Sequence, residues 1–162
     1  MWVRWFYRFY GWLPKPVRSR LVRLVKPGFT VGTIPFVTRP DGSVLLVRHS
    51  YKAGWATPGG FVNRHELPAV AAAREAMEEV GLAIEITSEP TVVIDPTSRQ
   101  VDVVFRARPA AGADPDDVTP RSSEIVEVRW FPSTDLPELQ DETAEALTVL
   151  LRAELGRVIE LP

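Results

Sequence analysis

Residues 58–82 read PGGFVNRHELPAVAAAREAMEEVGL, and the reading of this stretch decides the fold. From Pro68 to Val80 it holds no interior glycine or proline and is rich in alanine and glutamate, which predicts a helix. At ~100° per residue, Ala69, Val70, Ala73, Ala76, Met77 and Val80 share one face. Glu75, Glu78 and Glu79 share the opposite face, within a sector about 100° wide. The apolar face is expected to pack inward, its small alanines letting the helix lie close to a sheet. The three glutamates stand at i, i+3 and i+4, where like charges repel by roughly a few tenths of a kcal/mol per pair. They also lie near the C-terminal end of the helix, where the macrodipole disfavours anions. No lysine lies within a turn, and Arg74 can neutralise at most one of them. Such a face is electrostatically poor unless a divalent cation joins it.

Upstream of the helix, Pro58-Gly59-Gly60 ends a strand-like segment and allows a backbone carbonyl to turn toward the carboxylates. Further out, residues 29–38 and 44–49 read as strands about the turn Pro40-Asp41-Gly42, which predicts a hairpin. Residues 91–95 and 101–108 read as two more strands, joined by the turn-forming Asp95-Pro96-Thr97-Ser98. Residues 109–120 form a loop broken by Pro109, Gly112, Pro115 and Pro120, 125–131 a strand, and 142–155 a closing helix. Strands and helices are mixed rather than alternating, so the class is an α/β or α+β sandwich and not a doubly wound sheet.

A chain of 162 residues, 45% hydrophobic and 25% charged, has the size and composition of one folded domain. It has no cysteine, which excludes disulfides and thiolate chemistry and accords with a reducing cytoplasm, the expected location. With only His49 and His65, a metal would be held by oxygen ligands, which points to magnesium, manganese or calcium. The net charge of −2 conceals an asymmetry: residues 1–27 carry seven cations and no acid, leaving −9 on the remainder. Trp2, Trp5, Phe6, Phe9 and Leu13, then Val17, Leu21, Leu24 and Val25, follow helical spacing. Residues 1–28 are therefore expected to be a basic, aromatic helical extension ahead of a domain at 29–162. The favoured expectation is that the extension docks its aromatics on the domain or on a second subunit, giving a homodimer. Contact with an anionic membrane surface is the second reading, and no specific nucleic-acid binding is expected. The segment does not read as a signal peptide, and no run of about 18 apolar residues could span a membrane.

The spacing of the acids resembles a known family, the Nudix hydrolases, whose box reads G-x5-E-x7-R-E-U-x-E-E-x-G-U with U a bulky aliphatic residue. Gly60, Glu66, Arg74, Glu75, Glu78, Glu79, Gly81 and Leu82 match at the required positions, and only the first U departs, as Ala76. The Trp-Phe-Pro of 130–132 is a further likeness, so that the resemblance spans about residues 29–155. It implies an α/β/α sandwich with a mixed sheet. It further implies a magnesium-dependent hydrolase (manganese being the other metal) that cleaves the diphosphate linkage of a nucleoside diphosphate joined to another moiety. Nucleoside triphosphates, nucleotide sugars and dinucleotides are the substrate classes. Carried over by position, Glu75, Glu78 and Glu79 would bind the metal, with the Gly59 carbonyl as a further ligand. Arg74 would orient Glu75 and pair with Glu66. A distant glutamate usually completes the set; Glu124, six residues before Trp130, is the first candidate and Glu127 the second. The general base is Glu75, Glu78 or Glu124.

Two positions depart from the common pattern. His65 stands where many members have glycine, and Leu67, a poor N-cap, stands where many have serine. Selectivity is expected from loops 50–55, 95–100 and 109–121, with Trp55 or Phe105 either stacking on a base or belonging to the core. The rival reading is a Nudix-fold nucleotide-binding or regulatory domain without hydrolysis. A diphosphate-utilising isomerase of similar fold would call for a cysteine that this chain lacks.

Overall fold

The computed structural model describes residue 14 and residues 28–159, with side chains to residue 156. The predicted helical extension at 1–28 lies almost wholly outside the described residues. From residue 30 onward the elements are β1 (Thr30–Val37), β2 (Ser43–His49), β3 (Gly60–Phe61), α1 (Pro68–Val80), β4 (Ile84–Ile86), β5 (Thr91–Asp95), β6 (Gln100–Pro109), β7 (Ile125–Pro132) and α2 (Asp141–Ile159). One sheet runs β3-β1-β6-β4, with β5 also on β6; the other is the antiparallel pair β2-β7. Only β1 and β6 are parallel, from Thr30 beside Gln100 to Val37 beside Ala107, so the sheet is mixed as expected.

The predicted hairpin of β1 and β2 forms only at its turn. Arg39 and Ser43 close it, and a single bridge joins Thr38 to Val44, after which the two strands part into different sheets. The reason lies in β2, whose first five residues are all buried. Leu45 and Val47 join Val37, Ala76, Val80 and Leu82 in one apolar cluster, while Val44 and Leu46 join Phe36, Val104, Ala146 and Leu150 in another. A strand that serves both clusters must stand between α1 and α2, and it cannot also lie flat along β1. The result is the α/β/α sandwich. The predicted hairpin of β5 and β6 forms in full, from Asp95 beside Gln100 to Thr91 beside Val104.

Pro35 sits within β1 without breaking it. The Val31 carbonyl accepts from Val62 N–H, so the odd-numbered peptide groups of β1 face β3. That strand pairs only with Gly32 and Thr33, so the missing N–H of Pro35 falls beyond its end and removes no ladder bond.

Helix α1 occupies the predicted residues but is turned differently from the wheel. Ala71, Ala72, Ala76 and Val80 are buried, Val70 and Met77 are exposed, and Glu79 is buried with them. The acidic face therefore looks partly toward the sheet. Gly81 ends the helix at φ 75°, with its N–H on the Met77 carbonyl. The 109–124 loop completes that end: Arg121 N–H donates to the Glu79 carbonyl at 2.8 Å, and its guanidinium lies where a Gly81 side chain would be. A cation at this end complements the macrodipole. The rest of the loop is held by Trp130, whose Nε1 donates to the Pro115 carbonyl at 2.9 Å, and by the Arg39–Asp116 ion pair.

At the other end, Leu67 is the N-cap, 69% exposed and without a side-chain hydrogen bond to the first turn. Leu67→Ser is expected to stabilise the protein by about 1 kcal/mol by supplying that bond. Urea denaturation of the two proteins side by side checks this; an unchanged midpoint would mean that solvent already caps the turn equally well.

Candidate active site

The loop between β3 and α1 folds around one guanidinium. Arg74 Nε and Nη2 grip the two oxygens of Glu66 at 2.9 and 3.0 Å, and Nη2 also reaches the Phe61 carbonyl at 3.1 Å. Its Nη1 donates to Glu75 Oε1 at 2.6 Å and to Glu78 Oε2 at 3.0 Å. All five N–H groups of the fork are thereby used. Glu66 Oε2 in turn accepts the Asn63 N–H at 2.8 Å. The Arg74 hydrogen bonds, followed by that of Asn63, lower the Glu66 pKa from the usual 4.5 to about 2. The same pairing raises Arg74 above its ordinary value. His65 carries the turn into Glu66 at φ 68°, the left-handed region that explains why glycine is common there; its side chain is exposed.

Gly60 lets the acidic face come close, and Gly59 lets β1 do the same on its other side. A Cβ at Gly60 would lie 2.7 Å from the Glu75 carboxyl, and one at Gly59 would strike the Thr33 carbonyl. Glu79, only 8% exposed, accepts the Gly59 N–H at 3.1 Å. So the amide of Gly59, and not only the carbonyl considered from sequence, is turned to the carboxylates. Burial raises the Glu79 pKa to about 7; the Gly59 bond opposes this, and the charges of Glu75, Glu124 and Glu78 add to it. Glu124, from the segment before β7, lies within hydrogen-bond range of the Tyr51 hydroxyl at 3.5 Å. Glu127 is engaged elsewhere, with Arg48 at 2.8 Å and with Arg129. As the side chains stand, Arg74 Nη1 lies between Glu75 and Glu78, and among the described residues no three acids or histidines converge on one point.

On the other side of Gly59-Gly60 opens a cleft of about 240 Å³. Its walls come from β1, β3, β6, the 49–57 segment and the start of α2. Thr33, Thr57, Asp102, Gln140 and Thr143 line it and are buried, so its interior is polar. Exposed Tyr51 and Phe61 also line it, and Gln140 Nε2 lies 3.2 Å from His49 Nδ1. Burial, more than any neighbouring charge, lowers the pKa of His49. Asp102 is held by Gln100 Nε2, which donates to both carboxylate oxygens at 2.8 and 3.0 Å. Burial raises the Asp102 pKa against that bond, and Glu142 and Asp95 raise it further. Apart from Tyr51 and Gln100, which fall in the expected selectivity loops, none of these cleft residues was assigned a role by sequence reasoning. The signal available was an acid within the apolar run of β6, at a position where a core side chain would be expected. Of the two aromatics that were singled out, Phe105 is a core residue packed with Ala72 and Val103, and Trp55 is half-buried against the core, edge-on to Phe131 at 4.7 Å. Of the three expected selectivity loops, the first lines the cleft, the second reaches it through Gln100, and the third caps α1 instead.

A strand–glycine–loop–helix unit that turns Glu75 and Glu79 inward beside Arg74, with Glu78 at the exposed edge, defines a class of enzyme, and known proteins of that class are similar to this chain. A family model for the NUDIX domain matches residues 28–152. A MutT-like protein of Streptomyces ambofaciens is 30% identical over 122 residues, covering 67% of this chain and 79% of that one. A CMP-5'-(N-acetyl-N-hydroxy-3-aminopropyl)phosphonate hydrolase of Streptomyces rubellomurinus is 34% identical over 118 residues, covering 64% of this chain and 57% of that one. The crystal structure of a NUDIX hydrolase from Nitrosomonas europaea superposes with a TM-score of 0.66 at 27% identity, covering 75% of this chain and 69% of that one. The chain belongs to the NUDIX family, and it is an enzyme of the Nudix hydrolase class, acting on phosphoanhydride bonds.

The Glu66–Arg74 pair makes stability depend on acid pH. Because the folded-state pKa of Glu66 is lowered, its contribution is present above pH 4.5 and is lost as pH falls toward 2. Urea midpoints of Glu66→Gln should therefore fall less steeply across that window than those of wild type. Parallel slopes would show that the pair adds nothing to acid stability.

Proposed function

We propose that this enzyme hydrolyses, with magnesium, the diphosphate linkage of a nucleoside diphosphate joined to another group. The observation that carries the reading is the buried Glu79 carboxylate among the charges of Glu75, Glu78 and Glu124, with a single arginine shared between Glu75, Glu78 and Glu66. Such a cluster gains from positive charge beyond its single arginine, and an all-oxygen donor set suits magnesium or manganese. Glu75, Glu78, Glu79 and Glu124, with the Gly59 carbonyl, would hold the cation, Glu75 and Glu78 giving up Arg74 Nη1 to do so. The metal, when bound, supplies charge for the diphosphate oxygens and lowers the pKa of the attacking water.

The residues of the chain do the rest. Arg74, clamped by Glu66, keeps Glu75 in one rotamer against Gly60. Glu75, Glu78 or Glu124 takes the proton of the water. The substrate classes are those of the sequence reading, and a relative named for hydrolysing a CMP-phosphonate supports a nucleotide joined to a second group. Action in the cytoplasm goes with such substrates. The extension at 1–27 lies outside the described residues, and docking on the domain or on a second copy remains the proposed role.

Glu79→Gln is expected to lower turnover at least ~100-fold in saturating magnesium, on the order of 2.7 kcal/mol in the barrier. Millimolar magnesium should also raise the melting temperature of wild type and raise that of the variant less. More than half of wild-type activity, together with an equal thermal shift, would remove Glu79 from the metal site. For the extension, deletion of residues 1–27 should lower the melting temperature or split a dimer seen by sedimentation, with no binding to anionic vesicles in either form. Salt-sensitive vesicle binding confined to the full chain would establish the membrane reading instead.

A further inference from the structure

We propose that Asp102 is the specificity-determining residue of the cleft beside the carboxylates, and that it selects guanine as the base of the nucleotide substrate. The proposal rests on the nucleotide-diphosphatase reading and specifies where the nucleoside goes.

Charge first decides which part of a nucleotide the cleft can take. Its titratable lining comprises Asp102, Glu142, Lys52, His49 and Tyr51, and Lys52 already spends its ammonium on Glu142. Burial keeps His49 toward its neutral form. The lining holds two carboxyl groups and one lysine, itself paired, so it offers no spare cation to a phosphate; the phosphates belong on the α1 side of Gly59-Gly60 and the base belongs in the cleft. Only β3 separates the two, for Gly60 lies against Glu75 and also lines the cleft. Phe61, 60% exposed, and Tyr51, 69% exposed, give the cleft aromatic faces on which a base can stack.

The geometry of Asp102 then decides which base. Asp102 and Gly32 are register partners on neighbouring strands, and the carboxylate occupies the space that a Gly32 side chain would fill. It is 8% exposed, and its hydrogen bonds come from Gln100 alone among the described residues. Gln100 presents its amide nitrogen to both oxygens, so both act as acceptors and the group is held in one orientation. Two acceptor oxygens side by side match two N–H donors side by side. Guanine carries that pair on N1 and N2. Adenine and cytosine each offer one amino group beside a lone pair, and uracil offers one N–H between two carbonyl oxygens, which a carboxylate repels.

Calorimetric binding of GMP, AMP, CMP and UMP to the full chain, with and without magnesium, tests this without turnover. Wild type should bind GMP tightest, about tenfold or more ahead of UMP. Asp102→Asn, nearly isosteric, should lose about 10- to 100-fold for GMP and stay within about threefold for UMP. With GTP and UTP as substrates, the same variant should lose its discrimination in KM and keep kcat. Gly32→Ala displaces the carboxylate without removing it and should narrow the GMP–UMP gap in the same direction. Equal binding of all four nucleotides by wild type, or an equal loss for all four in Asp102→Asn, overturns the proposal. Absence of magnesium-dependent hydrolysis of every nucleotide would sink the diphosphatase reading, while the ratio of GMP to UMP binding would still decide the role of Asp102.

Discussion

Carboxylates of like charge can be pressed against a sheet only if something cancels their repulsion and something makes room. Arg74 does the first and Gly60 the second. One guanidinium spends all five of its donors on Glu66, the Phe61 carbonyl, Glu75 and Glu78. Without a side chain, Gly60 lets α1 approach until the Glu75 carboxyl lies 2.7 Å from where its Cβ would stand. Take away either, and the acidic face would turn to solvent, as acidic helix faces ordinarily do.

The neighbouring elements follow from that contact. With Glu79 turned inward beside Ala72, Ala76 and Val80, the helix exposes Val70 and Met77, which the wheel had placed in the core. Its C-terminal carbonyls face the 109–124 loop, which answers with backbone N–H groups from Thr119 and Arg121 and with the Arg121 guanidinium over Gly81. The loop that the sequence offered as a selectivity segment thus serves to hold the C-terminal end of α1. The loop before the helix is under strain of a different kind, for His65 takes a left-handed conformation to bring Glu66 onto Arg74.

The site has two halves on either side of one short strand. On the α1 side lie the acids that suit a cation and a diphosphate. On the α2 side lies a polar cleft lined by the buried Asp102. The β3 strand is only Gly60–Phe61 long, yet it belongs to both halves, its glycine against Glu75 and its aromatic ring at the cleft. Such a division suits a substrate with one charged and one uncharged end.

Sequence alone determined the family, the extent of α1, and the residues from Gly60 to Leu82 that gather around it. These are local properties: spacing along one helix and one loop survives in the linear chain. The 91–109 hairpin was legible for the same reason, its turn and both strands being contiguous. Only the tertiary structure decided which way α1 faces, because a wheel scores hydrophobicity and cannot see a glycine pair opposite a glutamate. It also parted β1 from β2, since burying both faces of β2 outweighs one hairpin ladder. And it brought Asp102, Gln140, Tyr51 and Phe61 into one cleft from four separate segments, a proximity that depends on parallel pairing of β1 with β6 and on where α2 begins. No spacing rule along the chain encodes that meeting, because its distances are set by sheet register and helix packing.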